Sequence, residues 1–382
     1  MRGRVPRDQV CRAMSARRLL PLLPPLWLSA CGPTEVLVGD APGVARVVAG
    51  VLGVPFVRSF PDTAGSGDAL DIPLGLPGGL AAVEDGSFYF ADRLRRRVGY
   101  VAPDGRLEWR VGMGACANPG PGSGAPATVC LAGPDGIVLA SDGTVVIADE
   151  DGHRVYRYDP AANRVGVVLG TGQPGRANDG AVAQAAPTDR PAAVTIDQAD
   201  LVYVAERGNG RVVRVEAGGS LTVVAGGDAR GDAGDGGPAR AATLMGPEGL
   251  AWMGDTLYIA DGGTNRIRRV IRDTIFAYAG LGAAGFAGDR GAAQTALFDA
   301  PGQLAVVGTL LLVADRGNRR VRIIRVGPDS IDTFGGTGAI TPGADLQPIG
   351  ATGIAGPAGL AAAGRLVFVS DSGGYVVRRV VR

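Results

Sequence analysis

The chain has 382 residues, 46% of them apolar, with 63 glycines and 26 prolines. That supports a substantial core, and the glycines and prolines punctuate strand-like runs instead of forming a disordered tract. Thirty-eight basic residues balance 37 acidic ones and there is one histidine, which excludes the basic footprint of a nucleic-acid binder and any multi-histidine metal centre.

Residues 1–30 read as an export signal. Arg17 and Arg18 precede the apolar run Leu19 to Ala30, which Pro21, Pro24 and Pro25 interrupt. This is the secretory pattern, and the run is shorter than the roughly 20 residues that span a bilayer. Leu28-Ser29-Ala30-Cys31 resembles the lipobox of bacterial lipoproteins. The resemblance implies that Cys31 becomes the lipidated first residue of the mature protein. With Gly32 and Pro33 following and no Asp at the next position, it also implies the outer membrane, on its periplasmic or surface side. Met14 opens a compact basic segment and is an alternative start to Met1. Residues 31–43 read as a tether, so membrane contact is expected through the lipid anchor alone, and 44–382 as the folded domain.

Two cysteines remain in that domain, Cys116 and Cys130, separated by 13 residues rich in Gly, Pro and Ala. An exported compartment is oxidising enough for a disulfide, worth roughly 3 kcal/mol for a loop of this length. Two cysteines without neighbouring histidine do not make a zinc site. A Cys116–Cys130 disulfide is therefore expected.

From Val44 on, the chain is organised by one recurring hairpin. Val44 to Gly50 reads as a strand with no hairpin before it. Then Phe88-Tyr89-Phe90-Ala91-Asp92 begins a series whose acids, Asp92, Asp149, Glu206, Asp261, Asp315 and Asp371, recur every 54–57 residues. Each copy is a β-branched and aromatic strand, a tight polar turn and a second strand. Each unit opens at a proline, at Pro77, Pro134, Pro191, Pro247, Pro301 and Pro357, and five carry four strand patterns. The sixth stops after three, and the unpaired strand at Val44–Gly50 resembles the missing fourth. Pairing Ala45–Gly50 of it with Tyr375–Val381 leaves no open edge, which is how propellers protect their sheets. The sequence thus predicts an all-β, six-bladed β-propeller, its last blade closed by the N-terminal strand, and a monomer.

The repeat is also similar to a known one. Ala-Asp, a short turn, Asn-Arg or His-Arg, alternating Val/Ile and Arg, and a Val-Val-Ala-Gly strand resemble the NHL repeat. So does Gly234-Asp235-Gly236-Gly237-Pro238-Ala239 with Leu244 and Pro247-Glu248-Gly249-Leu250-Ala251. Blades three to five fit best. Blade one departs in its turn at Arg95-Arg96-Arg97, and blade six has Tyr375-Val376 where Asn-Arg is expected. The resemblance spans about Val44 to Arg382 and implies the propeller; it implies little about activity, because this fold hosts many functions.

The chemistry is sparse. Arg97, Arg154, Arg211, Arg266 and Arg320 stand five residues after the repeated acids, so acid and arginine are expected to pair across the turn in a structural role. His153 sits in a turn, without partners for a catalytic triad. Gly280 to Gly285 and Gly170 to Gly175 match a dinucleotide fingerprint, but no helix pattern follows. Asp179, Asp235 and Asp289, in the loops between blades, are expected to cap turns. The positions that break the symmetry lie just after the opening prolines, where Asp135, Glu248 and Gln303 should face the channel mouth. The reading reached is an envelope-anchored binding or scaffold module for a protein or glycan partner on the loop-rich face, with no cofactor. The alternative is a metal-dependent propeller enzyme of the lactonase or strictosidine-synthase-like kind, with a divalent cation such as calcium held near the channel by Asp135 and Glu248.

Overall fold

The computed structural model describes residues 42–51, 66–114, 116 and 123–382. The signal segment, Cys31 and most of the tether lie outside the described residues. No helix among the described residues is long and apolar enough to cross a membrane.

Six antiparallel sheets follow one another along the chain. Each opens with an inner strand that begins at one of the six prolines: Pro77–Ala82, Pro134–Leu139, Pro191–Ile196, Pro247–Met253, Pro301–Val307 and Pro357–Ala363. The second strand of each ends on the repeated acid, which pairs with the opening proline. The inner strands of successive blades pack side by side, and blade six packs back on blade one. Gly359 of blade six lies so close to blade one that a Cβ there would fall 2.0 Å from the Gly78 carbonyl oxygen.

The core is divided among the interfaces between blades. The interface of blades four and five buries Tyr258, Tyr278, Phe298 and Leu311, and that of blades six and one buries Phe88, Phe90, Leu107 and Phe368. Large apolar side chains on the two faces of each twisted sheet interlock with those of the next blade, so no blade has a core of its own.

The N-terminal strand, Val44–Ala49, is the outer strand of blade six. It pairs antiparallel with Val376–Val381 through Ala45–Val380 and Ala49–Val377, and its other edge meets Gln347–Pro348. Ala45, Val47 and Ala49 face inward. Gly43, assigned to the tether from the sequence, already joins this sheet, its N–H donating to the Val381 carbonyl at 2.8 Å. Cys116 and Cys130 form a disulfide with Cα atoms 6.1 Å apart.

The six repeated acids are fully buried. Five staple the loop entering the inner strand to the end of the second strand. Asp92 accepts from the Gly75 N–H at 2.7 Å, Asp149 from Gly133 at 2.6 Å, Asp261 from Gly246 at 2.7 Å, Asp315 from Asp299 at 2.9 Å and Asp371 from Gly356 at 2.9 Å. Glu206, one methylene longer, takes the Thr188 hydroxyl instead, at 2.6 Å. Two of the arginines five residues on, Arg266 and Arg320, take other partners than these acids. Arg211 does pair with Glu206, but Arg266 reaches Asp232 and the Leu281 carbonyl, and Arg320 reaches the Asn318 and Thr337 carbonyls. In blades four to six a fully buried arginine stands two residues further on: Arg268, Arg322 and Arg378. Asp235 and Asp289 are the counter-ions of Arg268 and Arg322, at 2.7 and 2.8 Å, and not simple turn caps.

Candidate functional site

The second residue of each inner strand, and in blades one, two, five and six the third as well, falls in a register shift just after the proline. A bulge at a sheet edge re-aims side chains, here toward the propeller axis. The side chains that follow the buried acids approach the same point from the turns. These two sets build the channel mouth, and the structure brings the predicted Asp135, Glu248 and Gln303 together there, around a recess of about 100 Å³.

Four further charged residues, not anticipated from the sequence, share the mouth: Arg93, Glu150, Arg207 and Arg316. All four immediately follow a repeated acid. With Glu248 they form a chain of alternating charge that runs from blade one to blade five. Arg93 donates to Glu150 at 2.5 Å and to Asp151 at 2.8 Å. Arg207 donates to both Glu150 and Glu248, and Arg316 donates to Glu248. Blade four can place its acid on the inner strand because its post-acid residue is Gly262, where a Cβ would lie 3.2 Å from the Glu248 carboxyl carbon.

Three polar side chains at the mouth are not consumed by this network. Asp135 makes no hydrogen bond among the described residues, and its nearest cation is Arg93 at 3.8 Å. Its side chain keeps 27% of its surface, but that surface faces the narrow recess. Burial, with Glu150 adding repulsion, pushes its carboxyl up to about 6. Arg316 spends Nε on the Ala300 carbonyl at 3.2 Å and Nη2 on Glu248, which leaves Nη1 without a partner among the described residues. Desolvation, reinforced by Arg207, pulls Arg316 below the ordinary arginine value, and Asp135 opposes that shift. Gln303 likewise has no hydrogen-bond partner among the described residues, and it borders both the recess and the channel beneath it.

Gln303 also marks a waist. At its position the other blades carry Gly79, Gly136, Ala193, Gly249 and Gly359. Neighbouring inner strands nearly touch there: a Cβ on Gly249 would lie 2.1 Å from the Gly302 carbonyl oxygen. Below the waist a channel of about 230 Å³ is walled by Leu80, Leu139, Val194, Trp252, Val306 and their neighbours.

The other sequence candidates lie elsewhere. His153 sits in its turn with Nδ1 accepting from the Arg190 N–H at 3.3 Å. Gly280 and Gly282 adopt φ of 94° and 91° in the loop after the outer strand of blade four. Among the described residues no group of three or more His, Cys, Asp or Glu is arranged to hold a metal ion.

No protein-family model matches the chain. The curated relative SUPPRESSOR OF QUENCHING 1, chloroplastic, of Arabidopsis thaliana is 33% identical over 90 residues, which is 24% of this chain and only 8% of the relative's length. Among solved structures the chain is similar to a Bacteroides thetaiotaomicron protein of unknown function, with a TM-score of 0.66 and 15% identity over 88% of this chain and 75% of the other. It is similar to an auxiliary nutrient binding protein from Bacteroides ovatus, with a TM-score of 0.61 and 13% identity over 88% and 76%. A gluconolactonase from Xanthomonas campestris gives 0.53 and 14% over 81% and 86%. At these identities the likeness is one of fold, and that fold is the six-bladed β-propeller.

Proposed function

We propose that the chain is an envelope-anchored binding propeller of the NHL kind, held by a lipid on Cys31, whose channel mouth grips the hydroxyl-rich end of a glycan. The observation that carries this reading is the trio Asp135, Gln303 and Arg316. They converge on one recess and offer an acceptor, an amide and a donor: among the described residues the Asp135 carboxyl and the Gln303 amide have no hydrogen-bond partner, and Arg316 keeps Nη1 over after binding Ala300 and Glu248. Planar groups of this kind match vicinal hydroxyls, and the neighbouring Arg93, Glu150, Arg207 and Glu248 are bonded to one another. A recess of about 100 Å³ takes the end of a ligand, since whole small-molecule pockets run to several hundred Å³. The nutrient-binding neighbour from Bacteroides ovatus is compatible with this reading.

The metal-enzyme alternative has weaker support. Calcium seeks six to eight oxygen ligands, but Glu150 and Glu248 are each bridged by two guanidinium groups. Asp135 is left as a lone carboxyl, so the donor set does not fit a divalent ion, and no reaction step is assigned to one. Calorimetric titration of the full chain with a panel of neutral oligosaccharides tests the proposal. Binding heat that disappears in an Asp135→Ala/Gln303→Ala double variant supports it. Binding that survives in that variant, or no binding across the panel, overturns it.

A further inference from the structure

The ring of alternating charge at the mouth is incomplete, and the position of the gap identifies what would complete it. Blades one to five contribute Arg93, Glu150, Arg207, Glu248 and Arg316 in order. Blade six contributes no charge. Its post-proline residue is Ala358, which lines the recess, and its post-acid residue is Ser372, whose hydroxyl already donates to the Gly356 carbonyl at 3.0 Å. Both ends of the ring are therefore arginines, with an uncharged blade between them.

The two ends are not equivalent. Arg93 is neutralised by Glu150 and again by Asp151 at 2.8 Å. Arg316 is bonded to one acid, Glu248, which it shares with Arg207, while Asp135 acts on it only through space, and 38% of its side chain is still exposed. Its Nη1 is the donor left over. The place where a sixth, acidic member belongs thus lies between an under-neutralised guanidinium and the small side chain of Ala358.

We propose that a ligand carboxylate takes this place, so that the mouth selects an acidic sugar, a uronic acid, over its neutral parent. The carboxylate binds Arg316 Nη1 beside Ala358, and the sugar hydroxyls bind Gln303 and Asp135. The inference rests on the glycan reading above and adds the charge of the residue recognised. Asp135 has a part in that selection: its raised carboxyl keeps a share of neutral acid near pH 6, which lessens its repulsion of an incoming anion.

The test is calorimetric titration of the full chain with galacturonate, galactose and acetate. A charge-assisted hydrogen bond in place of a neutral one should favour galacturonate over galactose by about tenfold or more. An Ala358→Glu variant supplies the missing acid from the protein itself. Blade four carries Glu248 at this same position, so the substitution has a precedent in the ring, and an unchanged melting curve checks that the variant folds. It should reduce galacturonate affinity to that of galactose. Equal affinities in the wild type, or galacturonate binding untouched by Ala358→Glu, overturn the carboxylate place and leave the glycan reading standing. Acetate binding as tightly as galacturonate keeps the carboxylate place and overturns the glycan reading. Absence of binding by all three overturns the inference.

Discussion

Ser370 and Gly78, 292 residues apart in sequence, are joined across the seam of the ring: the Ser370 hydroxyl of blade six donates to the Gly78 carbonyl of blade one at 2.7 Å. The Ser370 hydroxyl oxygen in turn accepts from the Gly359 N–H at 2.6 Å. In the other five blades this position is a buried alanine, Ala91, Ala148, Ala205, Ala260 or Ala314. The serine is therefore a fastening specific to the junction between the last blade and the first. Alanine fits the shape of the site, so Ser370→Ala isolates the two hydrogen bonds. It should cost about 1–3 kcal/mol, because two buried backbone groups lose their partner. A urea midpoint unchanged from wild type would show that the seam holds without them.

Removal of the N-terminal strand should be more damaging. Ala45 belongs to the core between blades five and six, and Ala49 to that between blades six and one. Deletion of Val44 to Gly50 therefore loosens two interfaces and uncovers the edge of Val376–Val381. A fall in melting temperature of about 10 °C or more is expected, together with concentration-dependent association through the bare edge. A truncated protein that melts like the intact one and stays monomeric would refute the shared-blade closure.

Glu150 is the most enclosed member of the charge ring, 3% exposed and bonded to two guanidinium groups. Glu150→Ala leaves Arg93 and Arg207 facing one recess without their common counter-ion, at a cost of about 3 kcal/mol. Glu150→Gln keeps acceptor oxygen and should cost less. A double-mutant cycle with Arg207→Ala should show that the second change is much cheaper once the first is made. Additive effects would mean that the two side chains are not coupled.

Asp135 should make stability depend on pH in a defined direction. Its folded value of about 6 lies above the ordinary carboxyl value of 3.8. Above pH 6 the folded protein therefore carries a buried charge that unfolding would relieve. Between pH 6 and 4 the folded state takes up the proton and the penalty fades. Asp135→Asn should accordingly raise the melting temperature at pH 8, and the gain should shrink as the pH falls to about 4. A gain that is constant with pH, or one that grows on acidification, would contradict this placement of the carboxyl.

Much of the architecture was legible in the sequence because it repeats. Six acids at near-constant spacing set the number of blades, and a strand too many at one end with a strand too few at the other set the closure. The disulfide was legible from two cysteines in one short loop. Within the site, Asp135, Glu248 and Gln303 stood out because their equivalents in other blades are mostly glycine or alanine. Arg93, Glu150, Arg207 and Arg316 were hidden by a neighbouring regularity. The buried acid before each of them held the attention, although their own column, Arg, Glu, Arg, Gly, Arg, Ser, was the more irregular one. The pairing of each acid with an arginine five residues on did not materialise for Arg266 or Arg320. The carboxylates accept backbone N–H groups within their own blade, a choice that depends on where the entering loop lies and that side-chain charge alone does not reveal.

The strand at Val44–Ala49 leaves the ribosome before the other strands of the ring, yet its partner at Val376–Val381 is the last of the ring's strands to be made. Until Val380 reaches Ala45, the circle stands open, with bare sheet edges on both sides of the gap. A chain interrupted before the sixth blade never conceals them, and stays a target for chaperones and proteases. Pairing of the two strands removes that mark in a single closing event, so the geometry of the sixth blade doubles as a test that the ring is whole.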